Sequence, residues 1–225
     1  DRFVGFLAMQ WELAGVFGVS GRRLLAVISV AVLGWLPMVV QPGILFVGMT
    51  LPAVAGFLPI MIGAALVKQQ RGIYVGYGAL LTLGMVGFWH LALNFGSFGI
   101  AILAAVVILS DIGGYIAGRM IGGAKFWPSI SPKKTWSGTI AGWVLVAGLG
   151  FVIMQYSGAA WMVPVAVAVA FGAQMGDIAE SWVKRRVGVK DSSQLIPGHG
   201  GFLDRFDGFI GGAAVLGIIT ALFLN

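Results

Sequence analysis

Between Ser181 and Asp207 the chain reads SWVKRRVGVKDSSQLIPGHGGFLDRFD, and eight of these residues carry full charge: Lys184, Arg185, Arg186, Lys190, Asp191, Asp204, Arg205 and Asp207. Asp177, Ser181 and Lys184 stand at i, i+4 and i+7, so one helix face presents a carboxylate, a hydroxyl and a cation, with Glu180 beside them. Asp204 and Asp207, at i and i+3, open the last apolar run. Carboxylates so spaced can grip a hard cation from one side or cap a helix start, and the two roles are compatible. His199 lies among Gly198, Gly200 and Gly201, a backbone able to approach a ligand closely, where the ring can donate a hydrogen bond to phosphate. Carboxylates, basic side chains and flexible backbone in one stretch suit a metal–phosphate site.

Two further constellations lie upstream. Lys133 and Lys134, in SISPKKTWSG (Ser129–Gly138), follow a Pro turn and suit either an anionic substrate or anionic lipid headgroups. Asp111 sits in SDIGGY inside an apolar run, and an intramembrane acid marks a functional position unless a partner neutralises it. His90 stands alone near the outer end of an apolar run and reads as structural.

The elements that position these residues must be membrane helices. The 225 residues are 59% hydrophobic and only 10% charged, with a mean hydropathy of +0.96, whereas a soluble domain carries roughly 25% charged residues. The absence of cysteine excludes disulfides and thiolate metal sites, and two histidines argue against a histidine-rich zinc or haem site. A net charge of +6 is accounted for by basic loops at a membrane surface and calls for no nucleic acid.

A span takes roughly 20 apolar residues, with about 17 as the lower limit. The segments that qualify are Leu24–Val40, Ile44–Val67, Ile73–Leu93, Phe98–Ile116, Ser137–Tyr156, Ala159–Val183 and Gly208–Leu224. They predict an all-α fold, a polytopic integral membrane helical bundle of about seven spans with a polar active-site cavity facing the cytoplasm. One transmembrane catalytic domain is expected over residues 1–225, with N-terminal spans in 1–95 and the polar motifs in 96–225. The segment from Ala159 is expected to leave the membrane near Asp177 and continue as a cytoplasmic helix. Phe3 to Gly18 reads as the tail of an apolar segment, so further spans are expected upstream of Asp1.

Basic residues occupy alternate loops: Arg22/Arg23, Lys68/Arg71, Arg119 to Lys134, and Lys184 to Arg205. The loops at Gln41, Asn94 and Ser157 carry none, so the basic loops are expected in the cytoplasm and the C-terminus outside. On this map Asp111 and Asp177 lie near the cytoplasmic ends of two helices running in the same direction, where both can face one cavity.

The polar block resembles the signature of the phosphatidate cytidylyltransferases, the CDP-diacylglycerol synthases. In order, it holds the Ser (Ser181), Lys-Arg (Lys184, Arg185), Lys-Asp (Lys190, Asp191), Pro-x-His-Gly-Gly (Pro197–Gly201) and Asp-Arg-x-Asp (Asp204–Asp207) of that family. The upstream SDIGGYIAGR, ISPKKTWSG and GDIAES segments resemble its other polar motifs in the same order. The resemblance covers about the last half of the chain, and the first half matches only in hydrophobic character. Ser137 departs from the pattern, since relatives often carry an acid or Gln there.

The resemblance implies the Mg²⁺-dependent reaction of CTP with phosphatidate to give CDP-diacylglycerol and pyrophosphate, with room for a second metal ion. It implies Asp177, Asp204 and Asp207 as metal ligands, with Asp111 as a fourth, and a catalytic set of Lys184, His199, Asp204 and Asp207. Lys184, Arg185, Lys190 and Arg205 would bind the triphosphate or leaving pyrophosphate. Lys133 and Lys134 would hold a substrate phosphate, and Ser181 and His199 would supply hydrogen bonds. The partners expected are CTP, phosphatidate, membrane lipids and a second copy of the chain, in a bacterial inner membrane with the active site towards the cytoplasm. The competing readings are a CTP-dependent polyprenol or lipid kinase, which moves the γ-phosphate, and a transporter of anionic lipid. Transporters place binding groups at the midplane between repeated halves, and neither feature is evident in this sequence.

Overall fold

Apolar runs of this length form helices because, in hydrocarbon, each backbone amide must find its partner within its own segment. The computed structural model describes residues 2–40, 50–198 and 200–223. In chain order these form α1 (Arg2–Val16), α2 (Gly21–Val40), α3 (Thr50–Leu66), α4 (Arg71–Met120), a hairpin of β1 (Lys125–Trp127) and β2 (Ser131–Thr135), α5 (Trp136–Ser157), α6 (Met162–Val187) and α7 (Leu203–Phe223). Among the described residues, four helices (α4, α5, α6 and α7) are long and apolar enough to cross a membrane. The expected break at Gln41-Pro42-Gly43 and the start of the second segment at Ile44 lie outside the described residues, as does His199.

The long α4 is two helices in one. Gly96 takes φ 58° and ψ −144°, a conformation open to glycine, and divides it into arms 71–95 and 97–120 at the expected Asn94–Ser97 break. On the first arm Gly84 abuts Ile210 and Gly87 abuts Ala213, whereas on the second Leu103 lies against Gly212 and Val107 against Gly208. The pairing rises along α7 in one arm and falls in the other, so the arms are antiparallel and Gly96 is the turn between them.

α6 and α7 cross backbone to backbone. A methyl group placed on Gly211 would stand 2.8 Å from the Cα of Gly176, with the Gly172 carbonyl nearer still. Small residues allow such an approach, and van der Waals contact then holds helices together where lipid offers no hydrophobic drive between them. Gln174 adds a polar tie: its Oε1 accepts from Trp143 Nε1 of α5 at 3.0 Å, and its Nε2 donates to the buried Ser110 Oγ of α4 at 3.0 Å.

Three features differ from the expected layout. The β1–β2 hairpin was not anticipated from an all-α pattern. Phe126 packs on Trp136 with ring centroids 4.6 Å apart, and Thr135 ends β2 in an extended conformation while its Oγ1 accepts from Gly138 N–H at 3.2 Å to cap α5. α6 continues as a helix past Asp177, as expected, but runs beyond the expected end at Val183 to Val187, and its last turn gathers Lys184, Arg185 and Arg186 where the helix dipole favours cations. α7 starts at Leu203 rather than Gly208, which places Asp204 and Asp207 inside its first turns.

Replacing Gly211 with Val inserts bulk into the tightest crossing, so Gly211→Val is expected to destabilise the bundle by about 1–3 kcal/mol. A thermal melt in detergent checks this, and an unchanged midpoint would mean that the helices do not cross so closely.

Candidate active site

The α6–α7 crossing carries the C-terminal half of α6 and the first turns of α7 to one end of the bundle, and the titratable side chains gather there. Lys184 Nζ lies 2.7 Å from Glu180 Oε2, one turn back on the same helix, and 2.6 Å from Asp204 Oδ1 on α7. Glu180 is almost fully buried, at 2% exposure, so the shared ammonium is what makes its burial tolerable. Its second oxygen, Oε1, is buried without a hydrogen-bond partner, as is the hydroxyl of Tyr77. Ser181 Oγ donates to Asp177 Oδ1 at 3.4 Å along the face expected from the i, i+4, i+7 spacing.

Asp204 is the most heavily hydrogen-bonded aspartate of the site. Its carboxylate accepts from Lys184 Nζ, from Ser192 N–H at 2.9 Å, from Ser192 Oγ at 3.0 Å and from Gly201 N–H at 2.7 Å. Three of these donors crowd Oδ2, whereas Oδ1 holds Lys184 with a longer approach of 3.3 Å from Ser192 N–H. Through these bonds Asp204 fastens the loop ahead of α7 to that helix. Asp207 lies within electrostatic range of Asp177, Lys184 and Lys134, with its Oδ1 accepting from Gly208 N–H at 2.7 Å.

The hairpin completes the site from a third direction. Lys134 Nζ reaches Asp177 Oδ2 at 2.6 Å and lies 3.5 Å from the Gln174 carbonyl. Lys133, Lys134 and Asp111 line a cavity of about 210 Å³ between the hairpin, α4, α5 and α6. Asp111 is exposed there, within electrostatic range of Lys134 and Asp177. A second cavity, of about 710 Å³ and almost wholly apolar, runs beside the first turns of α7 and is lined by Met9, Met85, Phe88, Phe202, Phe206 and Phe209 among others.

The structure therefore brings together Asp111, Lys133, Lys134, Asp177, Ser181, Lys184, Asp204 and Asp207. Arg185, Lys190 and Arg205 are exposed around this end of the bundle. Sequence reasoning missed Glu12 of α1, a buried acid that accepts hydrogen bonds from the start of α7 and from the adjoining loop. Its signal was present in the sequence, because it is the one acid inside the first apolar segment.

A model of the cytidylyltransferase family matches residues 3–223. The chain belongs to this family. The match takes in both halves of the chain, a wider span than the motifs alone suggested. A phosphatidate cytidylyltransferase of Brucella suis is 39% identical over 202 residues, covering 84% of this chain and 73% of that protein. One from Helicobacter pylori is 35% identical over 184 residues (76% and 66%), and one from Rickettsia bellii is 44% identical over 125 residues (51% and 54%).

For a metal, the donor chemistry of this cytidylyltransferase site fits Mg²⁺. Among the described residues no group of three acidic or histidine side chains forms a closed cage. Mg²⁺ asks for less: one or two carboxylates, with water and substrate phosphates filling the other positions. Asp177, at 37% exposure, and Asp207, within electrostatic range of it on the adjacent helix, would supply such a pair.

Exchanging Lys184 for Met leaves Glu180 and Asp204 without their counter-charge. Such a loss is expected to cost about 3–5 kcal/mol of stability. A melt of Lys184→Met within about 1 kcal/mol of the parent would show that the pair is not mutually dependent.

Proposed function

We propose that this protein transfers the cytidylyl group of CTP to phosphatidate, releasing pyrophosphate and forming CDP-diacylglycerol. The observation that carries the reading is the convergence of Lys134, Asp177, Lys184 and Asp207 from three separate elements at one end of a helical bundle, in a chain whose relatives over 84% of its length bear this activity in their names.

Chemically, an oxygen of the phosphatidate phosphate attacks the α-phosphorus of CTP. The bond from that phosphorus to the bridging oxygen breaks, and pyrophosphate leaves. Two polyanions must meet, so the protein's task is charge neutralisation and alignment, with no protein nucleophile required. Asp177 and Asp207 would hold Mg²⁺, with Asp111 nearby and a second ion possible in the same oxygen-rich region. The metal, when bound, neutralises phosphate oxygens and stabilises the leaving pyrophosphate.

Lys184 spends two of its three N–H groups on Glu180 and Asp204 and keeps the third for a phosphate. Lys134 can do the same from the hairpin, with Lys133 beside it holding the lipid phosphate. Arg185, Lys190 and Arg205 then meet the triphosphate from the loop side, with His199 donating a hydrogen bond and Ser181 turning its single O–H from Asp177 to the substrate. The apolar cavity beside Phe202 and Phe206 gives acyl chains a place to remain in an apolar medium while the headgroup reaches the carboxylates.

For orientation, we place α2, α3, both arms of α4, α5, α6 and α7 as seven crossings, with the site at the cytoplasmic face of a bacterial inner membrane. Two contacts favour this arrangement. Gln70 Nε2 donates to the Arg186 carbonyl at 2.9 Å, and Lys134 pairs with Asp177, so three of the basic loops sit at one end. A homodimer remains part of this reading.

The deciding assay supplies purified protein with phosphatidate, labelled CTP and Mg²⁺, and follows both products. CDP-diacylglycerol and pyrophosphate should appear together and stop with EDTA, whereas CDP release would assign a kinase. Asp177→Asn and Asp207→Asn should each lower turnover at least about 100-fold, and full activity in both would remove them from the metal site.

A further inference from the structure

Glu12 is 1% exposed, and its carboxylate is surrounded by donors. Oε1 accepts from Ser193 Oγ at 2.6 Å and from Phe202 N–H at 2.7 Å; Oε2 accepts from Leu203 N–H at 2.6 Å and lies 3.3 Å from Ser192 Oγ. Phe202 and Leu203 bring the N–H groups at the start of α7, which have no partner inside that helix, and an anion there also meets the positive end of the helix dipole. The cap of α7 is thus supplied by a different helix, 190 residues away in sequence.

The same carboxylate gathers the loop ahead of α7. Leu195 N–H donates to Ser193 Oγ at 3.0 Å, and that hydroxyl donates onward to Glu12. Gly201 is wedged in place, because a Cβ on it would stand 2.8 Å from Glu12 Oε1 and would overlap Ser192 Oγ. Ser192 and Gly201 both donate to Asp204, whose other oxygen holds Lys184. Glu12 and Asp204 therefore clamp the loop from opposite sides, and Lys190 stands two residues before the clamped Ser192.

We propose that Glu12 is a positioning residue for the nucleotide. By fixing the 188–202 loop onto the start of α7, it sets where Lys190 and the Lys184–Asp204 pair stand relative to the triphosphate. The proposal rests on the cytidylyltransferase reading above. It assigns a role in one substrate's binding to a helix that carries none of the family motifs.

The test is Glu12→Gln in the full chain, in detergent with Mg²⁺. Gln keeps the shape but loses the charge and turns one acceptor into a donor facing Leu203 N–H. Removing charge-assisted hydrogen bonds from the clamp should raise KM for CTP about tenfold. KM for phosphatidate should stay within about twofold, because Lys133 and Lys134 lie on the hairpin outside the clamp. Amide exchange in 190–203 should quicken, and CTP should protect those amides less than in the parent chain. Unchanged kinetics and exchange would overturn the role. So would a parallel fall in kcat, both substrate affinities and melting temperature, which is the mark of a purely structural tie.

If Glu12→Gln does not fold, Ser193→Ala removes one donor from the clamp and decides the matter by the same selective shift in KM for CTP or its absence. The exchange measurement with CTP needs no turnover. A parent chain that protects 190–203 with CTP but forms no CDP-diacylglycerol would therefore refute the reaction, and Glu12→Gln would still be judged by its loss of that protection.

Discussion

The distance at which α6 and α7 cross sets the rest of the site. With glycine at 172, 176 and 211 the two backbones touch, and the residues one position beyond that contact on α6 and one turn before it on α7 are Asp177 and Asp207. Helices separated by ordinary side chains stand 8–10 Å apart, and two short aspartate side chains could not then share a small cation. Glycine is costly inside a helix, by roughly 0.5–1 kcal/mol relative to alanine. Its repeated use at this crossing allows the close approach that brings Asp177 and Asp207 together and, on the proposed reading, lets them share a cation.

Close packing of like charges at one end of the bundle needs compensation, and the fold supplies it through two lysines. Lys184 sits between Glu180 and Asp204, and Lys134 reaches Asp177 from the hairpin. Both remain multiply hydrogen-bonding donors, so arriving phosphates can be met without stripping the carboxylates of every partner. The carboxylates divide into two kinds by environment. Asp204 and Glu12 accept from several backbone and hydroxyl donors and organise the loop, whereas Asp177 and Asp207 carry fewer hydrogen bonds and lie within electrostatic range of one another.

Elements that look like scaffolding in the sequence also take part. α1, whose side chains are mostly apolar, provides the anionic cap of α7 through Glu12. The short β1–β2 hairpin looks like a loop between two spans, yet it delivers Lys134 to Asp177. Gln174 holds the helices behind the site in register through Trp143 and Ser110.

Much of this molecule is written locally. Runs of apolar residues make helices irrespective of partners, so the α2 to α7 segments and the turn at Gly96 follow from hydropathy and one glycine. The i, i+4, i+7 spacing of Asp177, Ser181 and Lys184 fixes their common face, because helix geometry alone decides it. The motif order likewise carries the family. What the sequence could not determine is how residues distant along the chain divide their labour. Asp204 and Asp207, three residues apart, look equivalent until the surrounding elements close around them; only then does one meet Lys184 and the donors of the preceding loop while the other comes into range of Asp177. Glu12 reads as a stray charge in an apolar helix, and its meaning arises from Phe202 and Leu203 at the far end of the chain. Local spacing specifies which groups share a face, but hydrogen-bond saturation depends on every element that packs against that face, and that is decided by tertiary structure.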